Sequence, residues 1–176
     1  MIGTETSRGP RARLVPLAVI AFAAWPLAAR PDIKSHGNAG TVSADFLRHP
    51  ISEKVRRMLQ TALGTINAGN HEAAIEQLLE TLEKYPESAA YVHSLLGVEY
   101  LRVDRFTDAA DSLEQAVLLL PHDAINRYNL GLSLVCAGDY QRGEREVRRA
   151  LELDPKNATM QAFLSFLLQH KHASTE

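Results

Sequence analysis

The fold is decided by residues 93–121, HSLLGVEYLRVDRFTDAADSLEQAVLLLP, and by their echo at 127–155, RYNLGLSLVCAGDYQRGEREVRRALELDP. Leu96 and Gly97 recur 34 residues later as Leu130 and Gly131. At the same offset Ala109 becomes Gly143, Leu113 becomes Val147, Ala116 becomes Ala150 and Pro121 becomes Pro155. Upstream, Ala62, Ala74, Leu78 and Pro86 keep the same internal spacing, with one extra residue, Ala89, before the next unit. A fixed period of this length marks a repeat architecture, in which each unit buries its apolar face against the next. The units are 55–88, 90–123 and 124–157.

Each unit reads as two helices. The first helices are expected over 52–68, 89–103 and 123–137, the second over 70–84, 105–119 and 139–153. Ala74, Leu78 and Leu82 share a helical face, as do Ala109, Leu113, Ala116 and Val117. Ser88 and Asp123 stand where first helices begin, Asn70 and Asp139 where second helices begin, and Asn157 before a final one. Gly69 and Gly138 precede two of these caps, where a helix must stop. Pro86, Pro121 and Pro155 follow the second helices, where the chain must turn. Gly97 and Gly131 sit inside helices, at about 1 kcal/mol each relative to Ala. That placement predicts close approach of a neighbouring helix, at Ala109 and Gly143 respectively.

These residues resemble the tetratricopeptide repeats, whose pattern is W-x2-L-G-x2-Y, then A-x3-F-x2-A, then Pro. Unit two reads His93-x2-Leu96-Gly97-x2-Tyr100, then Ala109-x3-Leu113-x2-Ala116, then Pro121. Unit three reads Arg127-x2-Leu130-Gly131-x2-Leu134, then Gly143-x3-Val147-x2-Ala150, then Pro155. Unit one is weaker, with Met58, Thr61, Ala62 and Thr65 in its opening helix, and the family Trp is absent throughout. The resemblance implies an all-α, right-handed superhelical stack of antiparallel helix hairpins. Residues 158–172 (ATMQAFLSFLLQHKH) are then a capping helix over the last unit, or a helix offered to another subunit, and 173–176 are a disordered tail.

In such a stack the first helices line the concave face, and the resemblance implies which positions point inward. They are Arg56, Leu59, Gln60, Leu63 and Asn67 in unit one, and Tyr91, Ser94, Leu95, Val98 and Arg102 in unit two. Unit three adds Ile125, Tyr128, Asn129, Leu132 and Cys136. Arg56, Asn67, Tyr91, Arg102, Tyr128 and Asn129 are the candidate partner-binding residues. Tyr and Arg dominate binding energy at many interfaces, and such a groove suits an extended peptide or a partner helix. The plainer alternative packs Tyr128 and Leu132 against the capping helix at Ala162 and Phe166. Some relatives grip a C-terminal carboxylate with Lys, Asn and Arg; here Leu59 and Leu63 replace the Lys and Asn, and Asn129 alone remains.

Other chemistry is sparse. The chain of 176 residues is 45% hydrophobic and 23% charged, with a formal net charge of −2, a globular composition without the excess of basic charge that would hold nucleic acid. One cysteine excludes an intramolecular disulfide, and Cys136 reads as a small buried hydrophobe. His170 and His172 are two apart and point in different directions on a helix, so no metal site is expected. Arg142, Arg145, Arg148 and Arg149 alternate with Glu144 and Glu146 and form i,i+4 pairs (Arg142–Glu146, Glu144–Arg148) on a solvated face. Asn157-Ala158-Thr159 matches a glycosylation acceptor. No nucleophile elbow, zinc-binding helix or phosphate loop is present, so no enzyme and no cofactor are expected.

Residues 1–29 form a separate segment. Arg8, Arg11 and Arg13 precede the uncharged run 14–29 (LVPLAVIAFAAWPLAA), which ends on Leu27-Ala28-Ala29. Sixteen helical residues rise about 24 Å, short of the roughly 30 Å of hydrocarbon, and Pro16 and Pro26 interrupt them. The segment therefore reads as a signal peptide, with an uncleaved N-terminal membrane anchor as the alternative. Removing it leaves a formal charge of −4. Residues 30–51 read as a flexible linker. The expected protein is exported, periplasmic or secreted, or anchored to the inner membrane. It binds a protein or peptide as an adaptor in the assembly of envelope or secreted complexes. A self-associating homo-oligomer and an accessory enzyme subunit are the rivals.

Overall fold

The computed structural model describes residues 52–173. The expectations for 1–29, 30–51 and the end of the tail, 174–176, lie outside them. The described residues form seven α-helices: α1 (Glu53–Asn67), α2 (His71–Lys84), α3 (Ala89–Arg102), α4 (Phe106–Leu119), α5 (Ala124–Cys136), α6 (Tyr140–Leu153) and α7 (Ala158–Ala173). A 3₁₀ turn at Pro86–Ser88 links α2 to α3. Ala173, expected in the tail, is the last residue of α7. None of the described helices is long and apolar enough to cross a membrane.

The turns explain the boundaries. Gly69 (φ +77°) and Gly138 (φ +95°) hold the left-handed conformation, and so does Asp104 (φ +59°) at the equivalent place in unit two. The amides that follow them close the preceding helices: Asn70 N donates to Thr65 O, Arg105 N to Tyr100 O and Asp139 N to Leu134 O, at 2.8–3.1 Å. Glycine adopts that conformation freely, whereas Asp does so at some strain.

Three expected caps form through side chains: Asp123 accepts from Asn126 N, Asp139 from Arg142 N and Asn157 from Met160 N. Ser52 caps α1 by accepting from Val55 N. Two expectations are corrected. Asn70 begins α2 without a side-chain bond. Ser88 donates its hydroxyl back to Tyr85 O at 2.6 Å, because it closes the 3₁₀ turn with a helical backbone instead of the extended one a capping side chain needs.

Each helix pairs with its chain neighbour, and α3 also packs directly on α5. The core runs through the stack along Leu59, Leu78, Leu96, Leu113, Leu130 and Val147 to Met160 and Phe163. Inside hairpin three, a Cβ at Gly131 would lie 2.6 Å from Val147 Cγ2 and 2.9 Å from the Gly143 carbonyl oxygen, so two helix backbones touch there. In hairpin two the expected neighbour is corrected. The atoms nearest a Gly97 Cβ all belong to Leu113, not Ala109, because the longer Leu113 stands where Val147 stands one unit later. Ala109 and Ala116, like Ala150, are fully buried in the same seams.

Helix α7 repeats the register of a first helix. Gln161 donates to Pro155 O, as Arg127 donates to Pro121 O 34 residues earlier. Its Phe163 meets Tyr128 edge-on, with ring centroids 5.7 Å apart. The face that a second helix would cover is less protected: Gly131 is buried, whereas its counterpart Ser165 is exposed.

Candidate partner-binding face

The candidate residues lie on α1, α3 and α5, the first helices of the three hairpins, and α3 packs on α5. Arg56 and Asn67 are exposed on α1, and Arg56 bonds Glu53 on its own helix at 2.5 Å. Asn129 is half-buried on α5. Ile125, beside it, is 51% exposed.

The two tyrosines are corrected. Tyr91 keeps 6% of its surface and Tyr128 only 3%. Tyr128 packs on Phe163, so the capping helix takes it. Burial pushes its hydroxyl pKa up to about 12. A side chain already covered offers a partner little new surface. Leu59 and Leu132 are buried as well.

Arg102 sits in an arrangement invisible in the sequence. Glu99, one turn earlier on α3, is 1% exposed. It accepts from His71 Nδ1 at 2.7 Å and lies 3.2 Å from Arg102 Nη1. The buried carboxylate is thus held by a side chain of α2 and one of its own helix, which offsets the cost of removing its charge from water. The one sequence signal is positional. Glu99 occupies the place of Gly64 in unit one and Ser133 in unit three, so a long acid stands where the other units carry a small residue.

Among the described residues His93 Nδ1, Arg102 Nε and Asn126 Nδ2 are buried without a hydrogen-bond partner. Burial holds the His93 pKa below the usual histidine value and so favours the neutral ring.

Burial raises the Cys136 thiol pKa to about 12, far from thiolate chemistry at neutral pH. Among the described residues no three His, Cys, Asp or Glu side chains cluster to hold a metal. The arginine-rich α6 is a paired outer surface. Glu144–Arg148 forms as expected. Arg142, expected to bond Glu146, turns instead to Glu114 of the preceding hairpin, while Glu146 takes Arg127 and Arg149. Asn157 uses both ends of its amide, to Met160 N and to Asp154, so a glycan there would displace a cap.

Comparison with known proteins agrees with this geometry. Residues 94–158 match the family profile described as tetratricopeptide repeat. A curated relative, BBSome complex member BBS4 of Bos taurus, is 30% identical over 108 residues, which are 61% of this chain; the chain spans about a fifth (20%) of that protein's length. MamA from Desulfovibrio magneticus superposes with a TM-score of 0.64 at 23% identity, over 67% of this chain and 66% of its own. The first such domain of Spaghetti (RPAP3), solved with an HSP90 peptide, gives 0.65 at 18% identity, over 70% of this chain and 98% of its own. At these identities the superpositions establish the fold, an all-α superhelical stack of hairpins. Residues 94–158 are thus similar to the tetratricopeptide repeats, and the described residues share the helical-hairpin fold of these structures.

Proposed function

We propose that the domain is a non-catalytic interaction module that holds a peptide or helix of a partner protein against α1, α3 and α5. The observation that carries this reading is the row of first helices with open polar and apolar side chains, Arg56, Asn67, Asn129 and Ile125. The similar RPAP3 domain is solved with a peptide bound, which supports the same use here. The uncharged run 14–29 supports an exported or membrane-anchored protein, and with it a role in assembling envelope or secreted complexes.

The test is affinity capture from native fractions with the full chain, beside an Ile125→Asp, Asn129→Ala control that leaves the core intact. Partners retained by the parent and lost from the control support the reading. Identical captures move the working surface off this face. Mass spectrometry of the natural N-terminus decides between cleavage near Ala29 and retention.

A second reading, self-association, is favoured by the exposed Ser165 stripe of α7. Light scattering over a concentration range separates the two: a mass that doubles with concentration supports the rival, a constant mass the adaptor.

A further inference from the structure

We propose that the edge of the stack carrying the α4–α5 turn rests on a lipid bilayer, with Leu118 and Leu119 entering its interfacial layer. This goes beyond the partner face on α1, α3 and α5, and it rests on the reading of residues 14–29 as a membrane anchor.

Antiparallel hairpins with short connections put every turn between hairpins at one edge of the stack. The α2–α3, α4–α5 and α6–α7 turns therefore share an edge with the start of α1 at Glu53. The turns inside the hairpins, after α1, α3 and α5, share the opposite edge.

The three turns of the first edge correspond in sequence as EKYPES (83–88), LLLPHD (118–123) and ELDPKN (152–157). The first exposes Glu83, Lys84 and Glu87, and the third exposes Glu152 and Lys156. At the matching places the middle turn exposes Leu118, Leu119 and His122. Leu118 leaves 73% of its surface in water, the highest value among the exposed large hydrophobic residues described, and Leu119 leaves 47%. The core uses neither, since it is Leu120 that turns inward. Exposed apolar side chains rimmed by polar ones mark a contact surface. Leu153 and Ile125 add to the same edge, whereas Tyr140 is the exposed large hydrophobic residue described at the opposite one.

The course of the chain names the occupant. Residues 30–51, 22 in number, join the uncharged run 14–29 to the edge where α1 begins. Fully extended they span at most about 75 Å. The α4–α5 turn lies two helix spacings from the start of α1, roughly 20 Å. A bilayer holding 14–29 is thus within reach of the leucines, and nearer to them than to the opposite edge, a helix length of about 20 Å away. Two leucines cover far less than the roughly 1,200–2,000 Å² of a stable protein interface. Against a tethered bilayer a weak contact suffices, because the anchor keeps the surface at high local concentration.

The experiment uses the full chain in phosphatidylcholine vesicles. Trp25→Phe removes the one native tryptophan, and His122→Trp or Gln141→Trp then places a reporter at one edge or the other. Each protein is read in ordinary lipid and in lipid brominated along its acyl chains, which quenches tryptophan that reaches them. Vesicle flotation reports whether the chain is membrane-bound. The His122→Trp reporter is expected to lose about half of its emission and shift to the blue, with Gln141→Trp unchanged. Leu118→Glu with Leu119→Lys copies the pair of the first turn and is expected to restore full emission while flotation persists. Leu118→Ser with Leu119→Ser, which adds no charge, is expected to act in the same direction. Thermal melts confirm that each variant is folded. An unquenched His122→Trp reporter in a floating chain, equal quenching of both reporters, or quenching that survives both leucine variants overturns the edge assignment while leaving the anchor. A chain that does not float overturns the anchor reading and this inference together.

Discussion

Two glycines in first helices should respond to the same substitution with opposite signs. Gly64 is exposed on α1, and a Cβ there would meet nothing within 4 Å. Gly64→Ala therefore gains helix propensity alone, about 0.5–1 kcal/mol. At Gly131 the added carbon lands 2.6 Å from Val147 Cγ2, 2.9 Å from Gly143 O and 3.2 Å from Val147 N. Two of those atoms are backbone, and the third belongs to a β-branched side chain stiff at χ1, so no rotamer change clears the space. Helices α5 and α6 must move apart. Overpacking of this kind costs about 2–3 kcal/mol, at the upper part of the usual range because backbone is involved. Subtracting the same propensity gain leaves Gly131→Ala less stable by about 1–2 kcal/mol. For a domain of this size that lowers Tm by about 4–8 °C, whereas Gly64→Ala raises it by about 2–4 °C. Circular dichroism at 222 nm during heating, with urea unfolding as a check, reads both. A Gly131→Ala variant that melts as high as Gly64→Ala would refute the close contact between α5 and α6, and with it the reason for a glycine in that helix.

Four further outcomes follow. Asp104 holds a left-handed φ of +59° that glycine occupies in the other two turns, so Asp104→Gly should raise stability by about 0.5–1 kcal/mol in urea titration; a loss would mean its side chain holds the turn. Asn157→Ala removes the cap of α7 and should cost about 1 kcal/mol, read as earlier amide exchange at Met160 and Gln161. Tyr128→Ala removes a ring wedged against Phe163 and should cost about 3–5 kcal/mol, a core effect visible as a lower Tm without any partner present. Burial lowers the His93 pKa below 6.5, so the unfolded chain takes up its proton first. The stability that His93 contributes is thus complete above about pH 6.5 and falls as pH drops through that value. His93→Leu should flatten this acid limb relative to the parent, and an unchanged limb would show that the ring is not held neutral.

The sequence alone determined the helices and their stacking order. Leu96-Gly97, Leu130-Gly131 and the three prolines repeat at a period that one helical hairpin sets, and the observed helices begin and end within one residue of the bounds it implies. Periodicity is a local code, since each apolar position needs only its own helix to define a face. The turns at Gly69 and Gly138 were legible for the same reason, while Asp104 hid the equivalent turn behind a non-glycine residue.

The candidate site was legible in outline and not in detail. Arg56, Asn67 and Asn129 remain open to solvent in whole or in part, but Tyr91 and Tyr128 are covered by neighbouring helices that sequence spacing does not place. The tie from His71 to Glu99 spans 28 residues and joins α2 to α3, and Arg142 reaches Glu114 across the same separation. Such pairs depend on how far each helix is rotated against the next, a quantity fixed by packing volumes such as Leu113 over Gly97. Local pattern therefore chose which residues form helices and in what order they stack. Only the assembled tertiary structure decided which side chains the neighbouring helices cover, because burial is a property of the pair of surfaces and not of either sequence segment.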